Sequence, residues 1–324
     1  MDLKQLETFV QVAELGSFSR AASVLRVAQP ALSRQVRALE VDLRQTLFDR
    51  NGRGVTLTEA GKRLLAHARG ILQQVQRARQ DLEDERGAAS GLLSIGLPPS
   101  IGRTLTAPLV ESFRAQFPKA TLTMVEGLST YTLEWLVSGR IDCAVVYNAT
   151  PAAAIELMPV LDEQLFVVSA RPARAGARRP RSISTAGAGT GKGISLAELA
   201  GLELVIPSRP HTIRMKLETT LAEAGLKARV ALEIESVPAM LDLVQRHPLH
   251  AVLSLNAIRG GDREAAFVAR PILLGAGRPP LSTSLWIATS AQRPRGPLLE
   301  QAVPLVAGLL AQWLGTPPAS PAQA

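Results

Sequence analysis

The 324-residue chain holds one cysteine, four histidines and only 4% aromatic residues, and each scarcity closes off a class of function. A lone Cys143 excludes an internal disulfide framework. It lies in the apolar run Ile141-Asp142-Cys143-Ala144-Val145-Val146, where a buried strand thiol is the expected state. His67, His211, His247 and His250 lack cysteine or carboxylate neighbours at metal-ligand spacing, so no metal site is expected. There is no serine elbow and no Cys–His pair, and no enzymatic activity is expected. Gly187-Ala188-Gly189-Thr190-Gly191-Lys192-Gly193 is only superficially a phosphate-binding loop, because Ala186 and Gly193 stand where the pattern needs Gly and Ser or Thr. No cofactor follows. Runs of about eighteen uncharged apolar residues are missing, and Asp2, Lys4 and Glu7 interrupt any N-terminal signal pattern. The expectation is a cytoplasmic protein with no membrane partner.

What is present begins with charge. The formal net charge is +8, and much of it sits between 170 and 194, where Arg171, Arg174, Arg178, Arg179, Arg181 and Lys192 meet no acidic residue. That stretch, rich in Arg, Gly, Ala and Ser, reads as a surface loop. A second basic concentration lies between 17 and 69, with ten basic residues against four acidic ones. Contact with phosphates requires such a local excess.

Inside that second region, residues 18–37 read as two short helices joined by a tight connection. Ser19 is expected to cap the first, which carries Ala21, Ala22 and Leu25. Pro30 sits where a first-turn proline is tolerated and opens the second. In that helix Leu32, Val36 and Leu39 recur at spacings of four and three and should face a core, leaving Gln29, Ser33, Arg34 and Arg37 outward. Arginine can bond guanine edges or phosphates in a bidentate way, glutamine can bond adenine, and serine serves either. A solvated face of an ordinary helical domain is the plainer alternative for such a stripe. Next comes Leu47-Phe48-Asp49-Arg50-Asn51-Gly52-Arg53-Gly54-Val55-Thr56-Leu57-Thr58, in which Asn51-Gly52 marks a hairpin. Arg53 at its tip could reach a phosphate rail or a narrow minor groove.

From Thr56, with Glu59 three residues on, a capping box is expected to open a long helix ending near Gly87. Leu57, Gly61, Leu64, Ala68, Ile71, Val75, Ala78 and Leu82 form a heptad seam that needs a partner. Packing back onto its own domain is the alternative. Beyond Gly91 short β-like runs alternate with helices, the pattern of an α/β domain. Strands are expected at 92–97, 121–126 and 142–147, with helices over 105–117 and 131–138. A second set begins near Gln164, with strands at 204–206, 230–234 and 251–255 and helices over 212–224 and 239–246. Strand-like segments at 267–274 and 281–288, then a helix over 297–313, are expected to return to the first set.

The helix-turn-helix of residues 18–37, the wing, a first helix over 3–16 and Leu57-Thr58-Glu59-Ala60-Gly61 at the start of the long helix together resemble the LysR-type transcriptional regulators. Gly127-Leu128-Ser129-Thr130-Tyr131, Leu133-Glu134-Trp135-Leu136 and Val146-Tyr147-Asn148 are similar to the nitrogen-assimilation-control branch of that family. The resemblance implies the fold class: an α/β effector domain of the type II periplasmic-binding-protein kind with two lobes, preceded by an all-α/winged helix-turn-helix domain and a long linker helix. Its divisions would be 1–58 for DNA binding, 59–88 for the dimerisation helix, 89–162 for the first part of lobe I, 163–266 for lobe II, 267–315 for the return of lobe I, and 316–324 as a tail.

Implied partners are double-stranded promoter DNA, a small-molecule effector, RNA polymerase, and a second copy of the chain, with a tetramer borrowed from the family. The DNA-contacting candidates are Ser19, Arg20, Gln29, Pro30, Ser33, Arg34, Arg37 and Arg53. For the effector, the resemblance points to strand ends that meet helix starts, here Ser100, Ser129, Thr130, Tyr147, Pro207, Ser208, Arg209 and His211. Hydroxyls and free N–H groups at helix starts favour anions, and Arg209 and His211 add positive potential, so a carboxylate or oxyanion is expected. Each serine could equally be a plain cap. Tyr147 and Asn148 either line a hinge or close a strand. The competing reading is a solute-binding protein whose N-terminal helices form an oligomerisation cap.

Overall fold

The computed structural model describes residues 1–51, 54–83, 90–171, 192–258, 264–275 and 277–315. Arg53, the end of the long helix near Gly87, most of the basic loop and the tail from 316 lie outside the described residues.

Three helices come first: α1 (Leu3–Leu15), α2 (Phe18–Leu25) and α3 (Gln29–Leu43). Asp2 and Gln5 form a reciprocal capping box on α1, whose end turns at Gly16 with φ 59°. Ser17, not Ser19, caps α2, its hydroxyl accepting from the Arg20 N–H at 3.3 Å. Phe18 must lie on the buried face, so the helix starts two residues earlier than a Ser19 cap would give and takes Ser19 into its first turn. Arg26, at φ 54°, makes the turn into α3.

The hairpin β1 (Phe48–Asn51) and β2 (Gly54–Leu57) follows, pairing Phe48 with Leu57 and Asn51 with Gly54. Glu40 of α3 is buried and accepts from the Leu47 N–H at 2.9 Å, which ties α3 to this hairpin. Thr58, not Thr56, opens the 25-residue α4 (Glu59–Glu83), accepting from the Gly61 N–H at 3.0 Å. Thr56 is committed to the strand, opposite Asp49.

The core of this head joins Leu6, Phe9, Val12, Ala21, Leu32, Val36, Leu39 and Leu47. Phe9 and Phe18 both set their rings against Phe48, at 5.3 and 5.8 Å. Fully burying one such side chain stabilises by about 1.5–3 kcal/mol. The first half of the expected seam ends here too: Leu57, Leu64 and Ala68 pack into the same core and Gly61 lies under the Leu47 carbonyl. Ile71 and Ala78, by contrast, are exposed.

The α/β domain contains β3 (Gly91–Leu97), α5 (Pro99–Gln116), β4 (Ala120–Glu126), α6 (Ser129–Val137), β5 (Cys143–Tyr147), β6 (Ile155–Ala170), β7 (Ile194–Ser195), α7 (Leu196–Ala200), β8 (Glu203–Ile206), α8 (Thr212–Glu223), β9 (Arg229–Glu233), α9 (Val237–Arg246), β10 (His250–Ser254), β11 (Phe267–Leu273), β12 (Ser282–Ser290) and α10 (Pro297–Leu314). The strand order is β4-β3-β5-β12-β6-β10-β8-β9. Lobe I buries α5 and α10 on one sheet face and α6 on the other. In lobe II α9 covers one face, α7 and α8 the opposite one.

The 16-residue β6 belongs to both lobes. It pairs with β12 as far as Gln164 and with β10 from Leu165 onward. No strand was expected there, because Pro159, Asp162, Glu163 and Gln164 break the apolar run. A second correction concerns β11: it pairs with the far end of β6 and buries Phe267 and Ala269 in lobe II, so the return to lobe I starts at β12. Phe267 onward is apolar enough for either lobe; only the pairing assigns it. Cys143 is buried in lobe I.

The middle of α4 lies on lobe I. A Cβ on Gly70 would fall 2.0 Å from the Ser138 carbonyl oxygen, and the Gln73 amide donates to the Ser94 hydroxyl at 2.9 Å. At Gly61 a Cβ would meet the Leu47 carbonyl oxygen at 2.2 Å. Gly61→Ala should therefore push α4 off the hairpin and cost the head about 1–3 kcal/mol. Hydrogen exchange of core amides such as Phe9 and Val36 measures this, and unaltered protection would contradict it.

Candidate nucleic-acid interface and ligand cleft

Two surfaces hold the residues singled out from sequence. On α3, Leu32, Val36 and Leu39 are completely buried while Gln29, Pro30, Arg34 and Arg37 are exposed and Ser33 is half-buried. The outward edge is thus built from one helix face whose opposite side is fixed in a core. Gln35 is drawn away from that edge, accepting from the Thr8 hydroxyl at 2.7 Å. Arg37 lies 3.9 Å from Glu40 yet remains 75% exposed. Arg34 forms no ion pair among the described residues. Ala28 caps α3 without a side-chain bond, so the positive end of the helix stays open beside Gln29. Ser19 and Arg20 are exposed on the first turn of α2.

The second surface is a cavity of about 570 Å³ between the lobes. Seven of the eight expected residues line it: Ser100, Ser129, Thr130, Tyr147, Pro207, Arg209 and His211. Ser208 does not; its backbone N–H donates instead to the Glu235 carboxylate at 3.1 Å. Unanticipated lining residues include Glu126, Trp135, Glu235, Met240 and Ser254. Glu126 ends β4, and Glu235 follows β9 by two residues, so the strand-end rule could have found both. It was applied only to residues that open helices.

Electrostatically the cleft differs from the expectation. His211 caps α8, its Nδ1 accepting from the Ile213 N–H at 3.3 Å. Burial pulls its pKa below the usual 6.5, against the opposing pull of the Glu235 charge, so the ring is neutral at pH 7 and adds no positive potential. Arg209 is committed to Glu218, its Nε at 3.0 Å from the carboxylate. The predicted cationic wall is therefore already compensated within the chain.

Beneath the cleft the lobes are tied by a buried network. The Tyr147 hydroxyl donates to Glu163 at 2.7 Å, and the Asn256 side-chain amide donates to the other carboxylate oxygen. Arg103 of α5 reaches across to the carbonyls of Asn256 and Ala257, at 3.1 and 2.6 Å. Tyr147 belongs to lobe I, Asn256 to lobe II and Glu163 to the shared strand, so Tyr147 lies at the hinge. Asn148 closes β5 against β12, exchanging bonds with Ser284. Burial raises the Glu163 pKa above 4.5, although Tyr147, Asn256 and Ser254 hydrogen bonds oppose that. The Tyr147 pKa is driven well above 10.0, first by burial and then by the Glu163 charge.

A model of the bacterial LysR-family regulatory helix-turn-helix matches residues 3–62, and one of the LysR substrate binding domain matches residues 86–310. The chain is 34% identical over 260 residues to the nitrogen assimilation regulatory protein nac of Escherichia coli strain K12, covering 80% of each. It is 32% identical over 303 residues to the Klebsiella aerogenes counterpart, covering 93% of this chain and 92% of that one. Among solved structures, CbnR, a LysR family transcriptional regulator, superposes with TM-score 0.68 at 23% identity over 95% of this chain and 99% of that one. Full-length CbnR in complex with its target DNA gives TM-score 0.68 at 24% identity, over 95% and 100%.

A carboxyl with a raised folded pKa adds stability that is complete below 4.5 and is lost as pH rises through the raised value. Each unit of elevation amounts to about 1.4 kcal/mol. E163Q removes that slope, so the stability difference between wild type and variant should shift in favour of the variant as pH climbs above 4.5. Urea unfolding at stepped pH reads it; parallel profiles would show that Glu163 does not titrate in the fold.

Proposed function

The chain belongs to the LysR family of bacterial DNA-binding transcriptional regulators, and from that membership we propose that α3 reads a promoter dyad while a small molecule held between the lobes sets how the reading heads meet it. The comparisons give the coarser part: a DNA-binding head, a substrate-binding domain, and relatives that regulate transcription rather than catalyse. The Nac proteins are its relatives within the family, which places it in the nitrogen-assimilation-control-like branch.

One observation carries the proposal. A helix whose apolar face is fully buried holds Gln29, Ser33, Arg34 and Arg37 on a single exposed edge, in a locally basic head with the helix start uncapped. A reading helix in a major groove needs that arrangement. The head works as a pair: Ile71 and Ala78, exposed beyond the part of α4 that its own core absorbs, offer the surface for a second copy. The site of action is the cytoplasm, with RNA polymerase as a downstream partner and a tetramer as the family's usual assembly. The effector's carboxylate or oxyanion end would lie at the start of α6, whose cap Leu128 supplies no side-chain bond. A periplasmic-type solute binder with an oligomerisation cap would leave the α3 edge without a role.

Arg34→Ala should weaken binding to the specific site by about 1–3 kcal/mol while leaving non-specific affinity nearly unchanged. Arg20→Ala, on the phosphate side, should instead lower the salt slope by about 1. Gel-shift titrations over a salt series, on a fragment recovered by genome-wide footprinting, separate the two. Equal losses on specific and random DNA for Arg34→Ala would refute base reading by that residue.

A further inference from the structure

We propose that the molecule held in the cleft is a zwitterion, carrying a protonated amine as well as a carboxylate; this rests on the reading of the cleft as the effector site. Four helices start at the wall of the cavity: α5 and α6 from lobe I, α8 and α9 from lobe II. Two of these starts are already capped by the chain. His211 caps α8 by accepting from the Ile213 N–H. Ser236 caps α9 by accepting from the Ala239 N–H, and Pro238 removes a further donor. The starts of α5 and α6, both on lobe I, have no side-chain cap, and Ser100 and Thr130 stand there at the cavity wall. The cavity thus keeps its seat for an anion on the lobe I side.

The side-chain charges point the other way. Of the ionised side chains lining the cavity, Arg209 is paired with Glu218. Glu126 and Glu235 form no ion pair among the described residues. One stands on each lobe: Glu126 ends β4 of lobe I, and Glu235 follows β9 of lobe II. A ligand that was only an anion would bring negative charge to a cavity already edged by two carboxylates. An ammonium placed between them is attracted by both. It also makes contacts in the closed cleft that it cannot make in the open one, and that difference is what lets a ligand shift a two-state equilibrium. Apolar walls from Trp135 and Met240 suit a short hydrocarbon spacer between the two ends. At about 570 Å³ the space falls within the usual range for small-molecule sites.

The test is calorimetric titration of the full-length protein with α- and ω-amino acids of two to six carbons, each beside the carboxylate lacking the amine and the amine lacking the carboxylate. At least one amino acid should bind tenfold or more tightly than both of its truncated partners. E126Q and E235Q should each bring that amino acid down to the affinity of its plain carboxylate, while the carboxylate binds as well as before or better. Both residues are exposed, so the melting temperature should stay unchanged and serves as the folding control. Val237→Trp, which adds bulk to the lobe II wall of the cavity and leaves both carboxylates in the sequence, should abolish all binding. A carboxylate that binds as tightly as its amino counterpart, an advantage that survives both glutamine variants, or silence across the panel overturns the zwitterion. If binding occurs but is indifferent to Val237→Trp, the cleft itself has been misassigned, and the effector-site reading fails with it.

Discussion

Helix α4 is held at two places where nothing larger than a hydrogen atom fits, Gly61 against the Leu47 carbonyl and Gly70 against that of Ser138. The first contact belongs to the DNA-reading head, the second to lobe I, and nine residues of continuous helix, about 14 Å, separate them. This stretch of α4 joins the two halves of the molecule within one chain. Arg69 pairs with Glu14 of α1 at 2.8 Å. Arg140, just beyond the Ser138 contact, lies 4.4 Å over the Trp135 ring, which is itself part of the cleft wall. Burial and the neighbouring Arg69 lower the Arg140 pKa, with Glu14 opposing. Helix α6 therefore has its first turn in the cleft and its last against the linker.

How much of this was legible from sequence depends on which forces were in play. Elements whose identity rests on one buried face were read closely: the strands at 92–97 and 121–126 and the helix over 212–224 match β3, β4 and α8 to within a residue or so. Errors arose where a local signal had two equivalent bearers. Ser17 and Ser19 can both cap α2, and burial of Phe18 decides between them. Thr56 and Thr58 can both open α4, and strand pairing takes Thr56 out of the contest. The heptad seam was real as a pattern, but a stripe of apolar residues does not announce its partner. Its N-terminal half met α1 and the hairpin before any second copy could.

The failures in the α/β domain have a different origin. Strand β6 carries Pro159, Asp162, Glu163 and Gln164 in its middle because that is where it passes from one sheet to the other and stops having an apolar layer on both faces. Periodicity locates cores; a crossing strand has none at the crossing. The charge of the cleft departs from a count of its basic residues for a related reason. Counting Arg209 and His211 as free cations ignores that a folded chain offers its own carboxylates and amides first. Glu218 and Ile213 are near in sequence, so both compensations could have been anticipated. The Glu126 approach to α5 bridges elements 24 residues apart and could not.

The buried Tyr147–Glu163–Asn256 network explains why the two lobes form a defined cleft. A carboxyl taken out of water costs more than a hydrophobic side chain would in its place. Against that cost, Glu163 accepts from one donor on each lobe, and both are lost if the lobes rotate far enough to separate Tyr147 from Asn256. Arg103 adds two further bonds across the same boundary. Leaving such groups buried and unpaired costs about 1–3 kcal/mol each, so wide rotation is opposed at the base of the cleft. Helix α6 begins at the cleft wall with Ser129 and Thr130 and is followed by Ser138, which lies against Gly70 of α4, so one element touches both the cleft and the helix that packs into the core of α1 to α3.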